Sequence, residues 1–385
     1  MIYDGYNKGE IFMNKVAIFT LNGYYNYGNR LQNYAMQEIL KSLNLDVETI
    51  INNRKSTNNK KLKDRIYNLL KCQPNEIYNK LYNKFSKNGI DYNTNKRTEV
   101  FKKFTLEYIN ETDYSISKDN IPKGLSIIYD YFITGSDQVW NPRNLHGSSV
   151  YFLTFAEEHK RIAYAPSFGV SEIKPEFLEN YKEWISGMHK LSVREDDGAK
   201  IIKELTGRDA PVLVDPTLLI TREKWLSIAK EASNKPKVRY LLTYFLGGIP
   251  DNYKNQIKNI VKENKLEVIN LGDNREKDTY RTGPSEFIDY INDCSIFFTD
   301  SFHGAVFSIL LEKPFIVFKR AGSTSMYSRI DTLLNKFELN DRKAENMPWE
   351  ENVFEIDFSH VPPILEAERK KSIEYLKNAL NIKDE

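Results

Sequence analysis

Short apolar runs rich in β-branched and aromatic residues alternate along this chain with stretches of helical periodicity, and this alternation constrains the fold most strongly. Gly, Pro, Asn or Asp bound the runs, a pattern typical of parallel βα units. A first series predicts strands at 16–21, 131–134, 161–165, 190–193 and 212–214. A second predicts strands at 240–245, 267–270, 295–299 and 315–318, and helices at 252–262, 284–293 and 305–311.

The two series predict an α/β protein with two Rossmann-like, doubly wound domains around a cleft. A length of 385 residues agrees with two domains. We place the N-terminal domain at 13–225, the C-terminal domain at 236–345, and a helix that packs back on them at 362–385. Ligands of such folds bind at the carboxyl ends of the parallel strands, so we expect the site in the cleft.

The composition excludes disordered and membrane-spanning proteins. Hydrophobic residues make up 41% of the chain and charged residues 28%, with a mean hydropathy of -0.56. The longest apolar run, 305–311, is too short to cross a bilayer. The N-terminus does not resemble a signal peptide, and we expect a cytoplasmic protein. No His, Cys or Asp cluster has metal-ligand spacing, so we predict no metal.

The net charge of +2 hides a basic segment. Between Arg54 and Lys103 there are 14 basic and 4 acidic residues, with apolar residues at helical intervals. We therefore predict a basic helical insertion at 54–104. It fits peripheral contact with an anionic membrane at its inner face, or equally the solvated faces of an insertion. We expect no nucleic-acid binding, because no recognised module accompanies the charge.

The first predicted strand is followed by a loop that contains Gly23 and Gly28. Their spacing is that of a phosphate loop, but Asn29 and Arg30 stand where Lys and Ser or Thr are needed. A turn into a helix near Leu31 would still offer free N–H groups to an anion, and Arg30 could hold a phosphate or carboxylate. A glycine turn with asparagine caps explains the same residues.

Three polar motifs follow other predicted strands. Asp137 and Trp140 could bind a sugar, because the carboxylate accepts from hydroxyls and the aromatic face stacks on the ring. Asp137 as a helix N-cap explains the motif equally well. Arg194 could bind a carboxylate or phosphate in a bidentate manner, or form an ion pair with Glu195 or another surface acid. Asp215 is a carboxylate between a buried strand and a proline.

The most informative segment joins the strand 295–299 to a helix and contains Ser301, His303 and Gly304. A helix N-terminus can hold an anion there while a histidine moves a proton near neutral pH. A core histidine satisfied by hydrogen bonds is the alternative. Downstream, a basic loop contains Lys319, Arg320, Ser325 and Arg329, and it could close over a phosphate or be a solvated loop capped by Ser325.

Together these segments resemble the polysaccharide pyruvyl transferase family. The resemblance spans 15–342 and is carried by YGNRLQNYA at 27–35, GSDQVW at 135–140, SVRE at 192–195, VDP at 214–216 and DSFHG at 300–304. It implies a glycosyltransferase-B-like architecture, which agrees with the two series of strands. It also implies transfer of the enolpyruvyl group of phosphoenolpyruvate to two hydroxyls of a sugar in a bacterial cell-surface polysaccharide precursor. The products would be a cyclic pyruvate ketal and phosphate.

The resemblance implies that phosphoenolpyruvate is the donor substrate, that no cofactor is needed, and that the acceptor is a sugar or a lipid-diphosphate-linked oligosaccharide. It assigns His303 to acid–base catalysis and Arg194 to a donor clamp. We expect the domain at 13–225 to be the acceptor side and the domain at 236–345 to be the donor side. The remaining residues expected to contact substrate are Asn29, Arg30, Asp137, Trp140, Asp215, Ser301, Gly304, Lys319 and Arg329.

The chain departs from the family at one position. Some members carry Arg two residues before the histidine, where this chain has Ser301. Arg30, Lys319 or Arg329 could supply the missing donor contact. The departure keeps two alternatives open: a sugar-nucleotide-dependent glycosyltransferase of the same architecture, and a glycan-binding protein without catalytic activity.

Overall fold

The structure is a computed structural model and describes residues 14–52, 92–143, 148–249, 251–320, 327–349 and 352–383. Most of the predicted basic insertion, residues 54–91, lies outside the described residues. No helix in the described part of the chain is long and apolar enough to span a membrane.

The first unit is built on a parallel five-stranded sheet with the order β3-β2-β1-β4-β5. Its central strand is covered on both faces, which accounts for the uninterrupted apolar sequence there. The strands are β1 (Lys15–Phe19), β2 (Asp46–Asn52), β3 (Glu111–Ile116), β4 (Tyr131–Thr134) and β5 (Arg161–Ala163). The helices are α1 (Tyr27–Ser42), α2 (92–108), α3 (Leu125–Ile128), α4 (Leu178–Ser186), α5 (Asp196–Thr206) and α6 (Arg222–Ser227).

The second unit has a parallel four-stranded sheet with the order β7-β6-β8-β9. Its strands are β6 (Tyr240–Tyr244), β7 (Glu267–Asn270), β8 (Ile296–Thr299) and β9 (Phe315–Val317). The following helices are α7 (Lys254–Glu263), α8 (Lys277–Tyr280), α9 (Pro284–Asp293), α10 (Phe302–Leu310), α11 (Ser328–Lys336) and α12 (Val361–Ala379). Short 3-10 turns lie at Ser149–Phe152, Glu158–Lys160, Pro175–Phe177, Pro216–Leu219, Asp251–Tyr253 and Asn340–Arg342.

One hydrophobic core joins the two units. Tyr27 of α1 stacks on Phe287 of α9 with ring centroids 4.1 Å apart and planes 12° from parallel. The Tyr27 hydroxyl donates to the carbonyl of Thr282 at 3.1 Å. Because α1 follows β1 directly, this packing brings the carboxyl ends of both sheets to the same cleft. The predicted pair of Rossmann-like units around a cleft is confirmed.

All four strands predicted in the second unit are present, and so are those at 16–21, 131–134 and 161–165, with their ends shifted by a few residues. The stretches 190–193 and 212–214 are not strands, because they make only the single bridges of Lys190 to Ile162 and Val193 to Val212. The sequence missed β2 and β3 of the first unit. Helix α1 begins at Tyr27 rather than Leu31, because the Asn26 side chain caps it by accepting from the Asn29 N–H at 3.2 Å.

The last helix, α12, packs back on the first unit. Arg369 donates from Nε to the carbonyl of Leu218 at 2.8 Å and from Nη2 to that of Ile220 at 2.9 Å. The Tyr375 hydroxyl donates to the carbonyl of Ala163 at 2.8 Å, beside the end of β5. Helix α12 therefore returns from the second unit to the first.

Candidate active site

The carboxyl ends of strands from both sheets surround a cavity of about 340 Å³. Residues that follow β1, β4, β8 and β9 line it, as expected for ligand sites of parallel α/β folds. They include Asn26, Asn29, Asp137, Gln138, Arg143, Leu246, Ser301, Phe302, His303, Arg320 and Arg329. Of the predicted site residues, the fold thus brings Asn29, Asp137, Ser301, His303 and Arg329 to one place.

His303 lies in the first turn of α10, where it lines the cavity but is only 6% exposed. Ser301 caps this helix, accepting from the Gly304 N–H at 3.3 Å. The Nε2 atom of His303 is 3.6 Å from Oδ2 of Asp215 and makes no hydrogen bond to any described residue. The ring is therefore held beside a carboxylate and beside the free N–H groups of a helix N-terminus.

Asp215 is fully buried beneath His303. Its Oδ2 accepts from Arg194 Nη1 at 2.6 Å and Ser136 Oγ at 2.9 Å, while Oδ1 accepts from Thr217 N and Oγ1 at 3.0 and 2.7 Å. Burial acts to raise the pKa of Asp215, but His303, Arg194 and the Thr217 N–H outweigh it and hold that pKa far below its usual range. Asp215 is therefore an ionised carboxylate beneath the His303 ring.

Arg194 does not reach the cavity as a donor clamp. Its side chain is buried, with Nη1 on Asp215 and Nη2 3.3 Å from Oδ1 of Asp137, and its guanidinium lies 4.4 Å from the Phe302 ring centroid. Burial opposes its charge, yet the two carboxylates raise its pKa above the ordinary value. Arg194 is thus a buried cation that joins two acidic residues, and it does not line the cavity, so its role as a donor clamp stays a prediction.

Asp137 lies between this network and the cavity. Asn29 Nδ2 donates to its Oδ2 at 2.5 Å, and its own backbone is left-handed with φ 62°. Burial acts to raise its pKa, but Arg194, His303 and Arg329 together lower the pKa of this carboxyl below its ordinary value. The side chain therefore presents a carboxylate at the cavity wall.

Three arginines of the described ranges line the cavity: Arg143, Arg320 and Arg329. Arg329 is 5% exposed and its Nη1 is 3.8 Å from Oδ1 of Asp137. The carboxamide of Gln138 also lies against it, its oxygen accepting from Nη2 at 2.9 Å when turned toward the guanidinium. Burial and the nearby Arg194 lower the pKa of Arg329 to about 10. The nearby carboxylates therefore do not fully compensate the positive charge of the buried Arg329 guanidinium.

Arg320 is held by the loop that follows β8. Its Nε lies 3.2 Å from Oδ2 of Asp300. The same carboxylate accepts from the N–H groups of Leu246 and Gly247 at 2.7 and 2.8 Å, so it also ties down the loop after β6. Asp300 thus fixes one cationic wall of the cavity in the second unit.

Two predicted contact residues are structural. Arg30 is fully buried and its Nη1 forms an ion pair with Glu111 at 2.6 Å, so its guanidinium is not accessible to a ligand. The reason is that α1 begins earlier than expected, which turns Arg30 inward toward β3. Trp140 is also fully buried, with its Nε1 donating to the Tyr151 carbonyl at 3.0 Å and its ring stacked 4.8 Å from Phe152. Its faces are not available to a sugar.

Two further predicted residues do not line the cavity. Lys319 points to solvent, with a 64% exposed side chain and Glu345 at 3.0 Å. Gly304 is needed for close packing, because a Cβ there would lie 2.7 Å from Oγ1 of Thr299. Ser301 lines the cavity but acts as a helix cap, and its short side chain leaves the position of the missing arginine without a cation.

Sequence reasoning missed Arg143 as a cavity residue and, within the basic loop, selected Lys319 rather than Arg320 as a substrate contact. Arg320 stands one residue after Lys319, just beyond β9, where the chain is irregular. No periodicity therefore indicates which of the two neighbours faces the cleft. The position of Arg320 at the carboxyl end of a parallel strand was the available signal.

Comparisons with known proteins agree with the motifs. A family model described as polysaccharide pyruvyl transferase matches residues 26–321. No curated protein sequence matches the chain.

Three solved structures are similar over nearly the whole chain, at low identity. A candidate UDP-N-acetylglucosamine 2-epimerase from Listeria monocytogenes is 9% identical with a TM-score of 0.49, covering 96% of this chain and 94% of that one. UDP-GlcNAc 2-epimerase from Neisseria meningitidis, bound to UDP-GlcNAc, is 11% identical with a TM-score of 0.44 and coverages of 96% and 98%. The glycotransferase of kitacinnamycin is 8% identical with a TM-score of 0.39 and coverages of 96% and 94%.

Proposed function

The chain belongs to the polysaccharide pyruvyl transferase family, and on that premise we propose that its donor substrate is phosphoenolpyruvate. The enolpyruvyl group is transferred to two hydroxyls of a sugar in a bacterial cell-surface polysaccharide precursor. The products are a cyclic pyruvate ketal and phosphate.

The observation that carries this proposal is the charge of the 340 Å³ cavity. Three arginines and the N-terminus of α10 face a single acidic side chain, that of Asp137, among the described residues that line it. Phosphoenolpyruvate has a carboxylate and a phosphate, and both are bound well by guanidinium groups and helix N-termini. The negative charge of phosphoenolpyruvate would also compensate the positive charge of the buried Arg329.

The reaction needs one proton at the donor carbon. Protonation of the methylene C3 gives positive character at C2, and one sugar hydroxyl attacks C2 and loses its proton. The C2–O bond to phosphate then breaks, and the second hydroxyl attacks C2 and loses its proton. Of the two protons released, one replaces that used at C3 and the other leaves on hydrogen phosphate, so atoms and charge balance.

His303 is suited to deliver and recover these protons, because histidine exchanges protons near neutral pH. Asp215 supports the protonated imidazole from below, and Arg194 keeps Asp215 in place. Arg320 and Arg329, with the N–H groups at the start of α10, stabilise the charge that develops on the departing phosphate. We assign Asn29 and Asp137, which are hydrogen-bonded to each other and line the cavity, to contact with a hydroxyl of the acceptor.

We propose that the acceptor is a sugar or a lipid-diphosphate-linked oligosaccharide, and that no cofactor is required. The protein would work in the cytoplasm, with the segment 54–104 in peripheral contact with the inner face of the membrane. Charge supports this last point: 14 basic residues against 4 acidic ones between Arg54 and Lys103 suit anionic lipid.

Donor competition tests the proposal. The protein is incubated with lipid-diphosphate-linked oligosaccharides from capsule-producing bacteria and either phosphoenolpyruvate or UDP-sugars. We expect phosphate release and a new ketal methyl signal in the NMR spectrum with phosphoenolpyruvate alone. Turnover only with a UDP-sugar would instead identify a glycosyltransferase, and glycan binding without turnover would identify a binding protein.

A further inference from the structure

A second cavity, of about 590 Å³, opens beside the first in the second unit. It lies at the carboxyl ends of β6 and β7, and Leu246 lines both cavities. The Leu246 N–H is bound by Asp300, which also holds Arg320 of the first cavity. A ligand that contacts Leu246 from the second cavity therefore lies next to the proposed donor.

The charges at the second cavity are balanced internally. Lys254 pairs with Asp251 at 2.5 Å, and Arg275 Nε lies 2.9 Å from both carboxylate oxygens of Asp273. The first cavity, in contrast, has three arginines against one carboxylate. An anion gains little in the second cavity, so its chemistry favours an uncharged polar ligand.

The polar groups that remain free there are of the kind that binds sugar hydroxyls. The Asn274 carboxamide and the Tyr280 hydroxyl have no hydrogen-bond partner among the described residues, and both line the cavity. Asn270 accepts from the Gly272 N–H at 2.9 Å, which leaves its amide NH₂ free. A carboxamide donates and accepts, as a sugar hydroxyl does. Phe245 and Ile249 add apolar surface for the carbon face of a ring.

The walls of this cavity are held in place before any ligand arrives. A Cβ at Gly272 would lie 2.9 Å from the Phe245 carbonyl oxygen, so only glycine lets these loops approach so closely. Helix α2 of the first unit fixes the far wall: Asn93 donates to the Asn274 carbonyl at 3.1 Å, and Arg97 donates to the Tyr280 carbonyl. Such preorganisation lowers the entropic cost of binding.

We infer that the second cavity binds an uncharged sugar residue of the acceptor through Asn270, Asn274 and Tyr280. In this orientation the hydroxyl pair of the sugar points past Leu246 toward the donor in the first cavity. This assignment rests on the proposed function for its role as an acceptor site, but sugar binding itself can be measured without turnover.

The test uses the methyl glycosides of glucose, galactose, mannose, N-acetylglucosamine and N-acetylmannosamine as probes in saturation-transfer NMR with the full chain. The variants are Asn274→Ala with Tyr280→Phe, which remove only unpaired groups, and Asn270→Asp, which keeps the acceptor for the Gly272 N–H. Asn255→Ala, at an exposed position on α7, is the matched control. Phosphoenolpyruvate affinity is measured in parallel by calorimetry.

We expect at least one glycoside to bind, and the double variant to weaken its binding about thirtyfold, because two hydrogen bonds to the sugar are lost. The control should match the parent protein, and phosphoenolpyruvate affinity should stay unchanged in all variants. Absence of binding by every glycoside, equal binding by parent and double variant, or UDP binding that the double variant abolishes would overturn the assignment. If phosphoenolpyruvate fails to bind while the glycosides still bind here, the proposed function fails and the sugar site stands.

Discussion

The imidazole of His303 lies directly against the backbone of Gly28. A Cβ at Gly28 would be 2.1 Å from Nδ1 and 2.6 Å from Cε1 of the ring. Gly28 belongs to α1 of the first unit and His303 to α10 of the second. The contact explains why a glycine stands in the first turn of a buried helix, and it shows that both units set the position of the proposed acid–base residue.

We expect Gly28→Ala to displace the His303 ring and lower turnover about a hundredfold, since a shift near 1 Å can cost that much. The helix itself should tolerate the change, because Ala is favoured over Gly in a helix by about 1 kcal/mol. Steady-state kinetics and a chemical denaturation curve measure the two effects. Unchanged turnover in a folded variant would show that His303 need not lie against Gly28.

Two neighbouring cations give a matched comparison for the donor site. Arg320 lines the first cavity, whereas Lys319 points to solvent. Arg320→Gln should weaken phosphoenolpyruvate binding by about tenfold to a hundredfold, as loss of a hydrogen bond to a charged group does. Lys319→Gln should bind like the parent. Calorimetric titration with phosphoenolpyruvate distinguishes them, and equal losses in both would place the donor elsewhere.

Asp215 should make the free energy of unfolding depend on pH in the acidic range. Its pKa in the folded protein is far below its value in the unfolded chain, which is about 3.9. Its stabilisation is therefore fully present above that value and is lost as the pH falls through the folded pKa.

We expect Asp215→Asn to lower the free energy of unfolding at pH 7 by about 3 to 5 kcal/mol, because it breaks a buried ion pair. The difference from the parent should shrink below about pH 4. Urea denaturation across this range measures it, with the exposed Asp209→Asn as control. A difference that stays constant down to the lowest pH would contradict an ionised Asp215.

The buried pair of Arg30 and Glu111 should affect stability and not donor binding. Among the described residues, Arg30→Met leaves the Glu111 carboxylate with the Tyr24 hydroxyl alone, at 2.6 Å, and it should lower the free energy of unfolding by about 3 kcal/mol. Arg30→Met combined with Glu111→Leu should recover most of that loss, because both charges are then gone. Denaturation midpoints and phosphoenolpyruvate affinity are the measurements. A specific loss of affinity in the double variant would restore Arg30 to the site.

The sequence predicted the second sheet best, since its strands are apolar and lie between clear helical segments. Strand β3, at the sheet edge, has the polar sequence ETDYSI and gives no apolar run. His303 could be identified because it follows an apolar strand directly. The burial of the Arg30 side chain depends on where α1 begins, and the ion pairs of Arg194 with Asp137 and Asp215 depend on tertiary packing. Neither can be predicted from the local sequence.

The central claim is that His303 protonates phosphoenolpyruvate as its pyruvyl group is transferred. The most direct test is turnover with lipid-diphosphate-linked oligosaccharides in D₂O, followed by NMR. We predict phosphate and ketal methyl groups in equal amounts, a single deuterium in each methyl, and a rate at least about a hundredfold lower for His303→Gln. A parental rate in His303→Gln, or a methyl group without solvent deuterium, would contradict this mechanism.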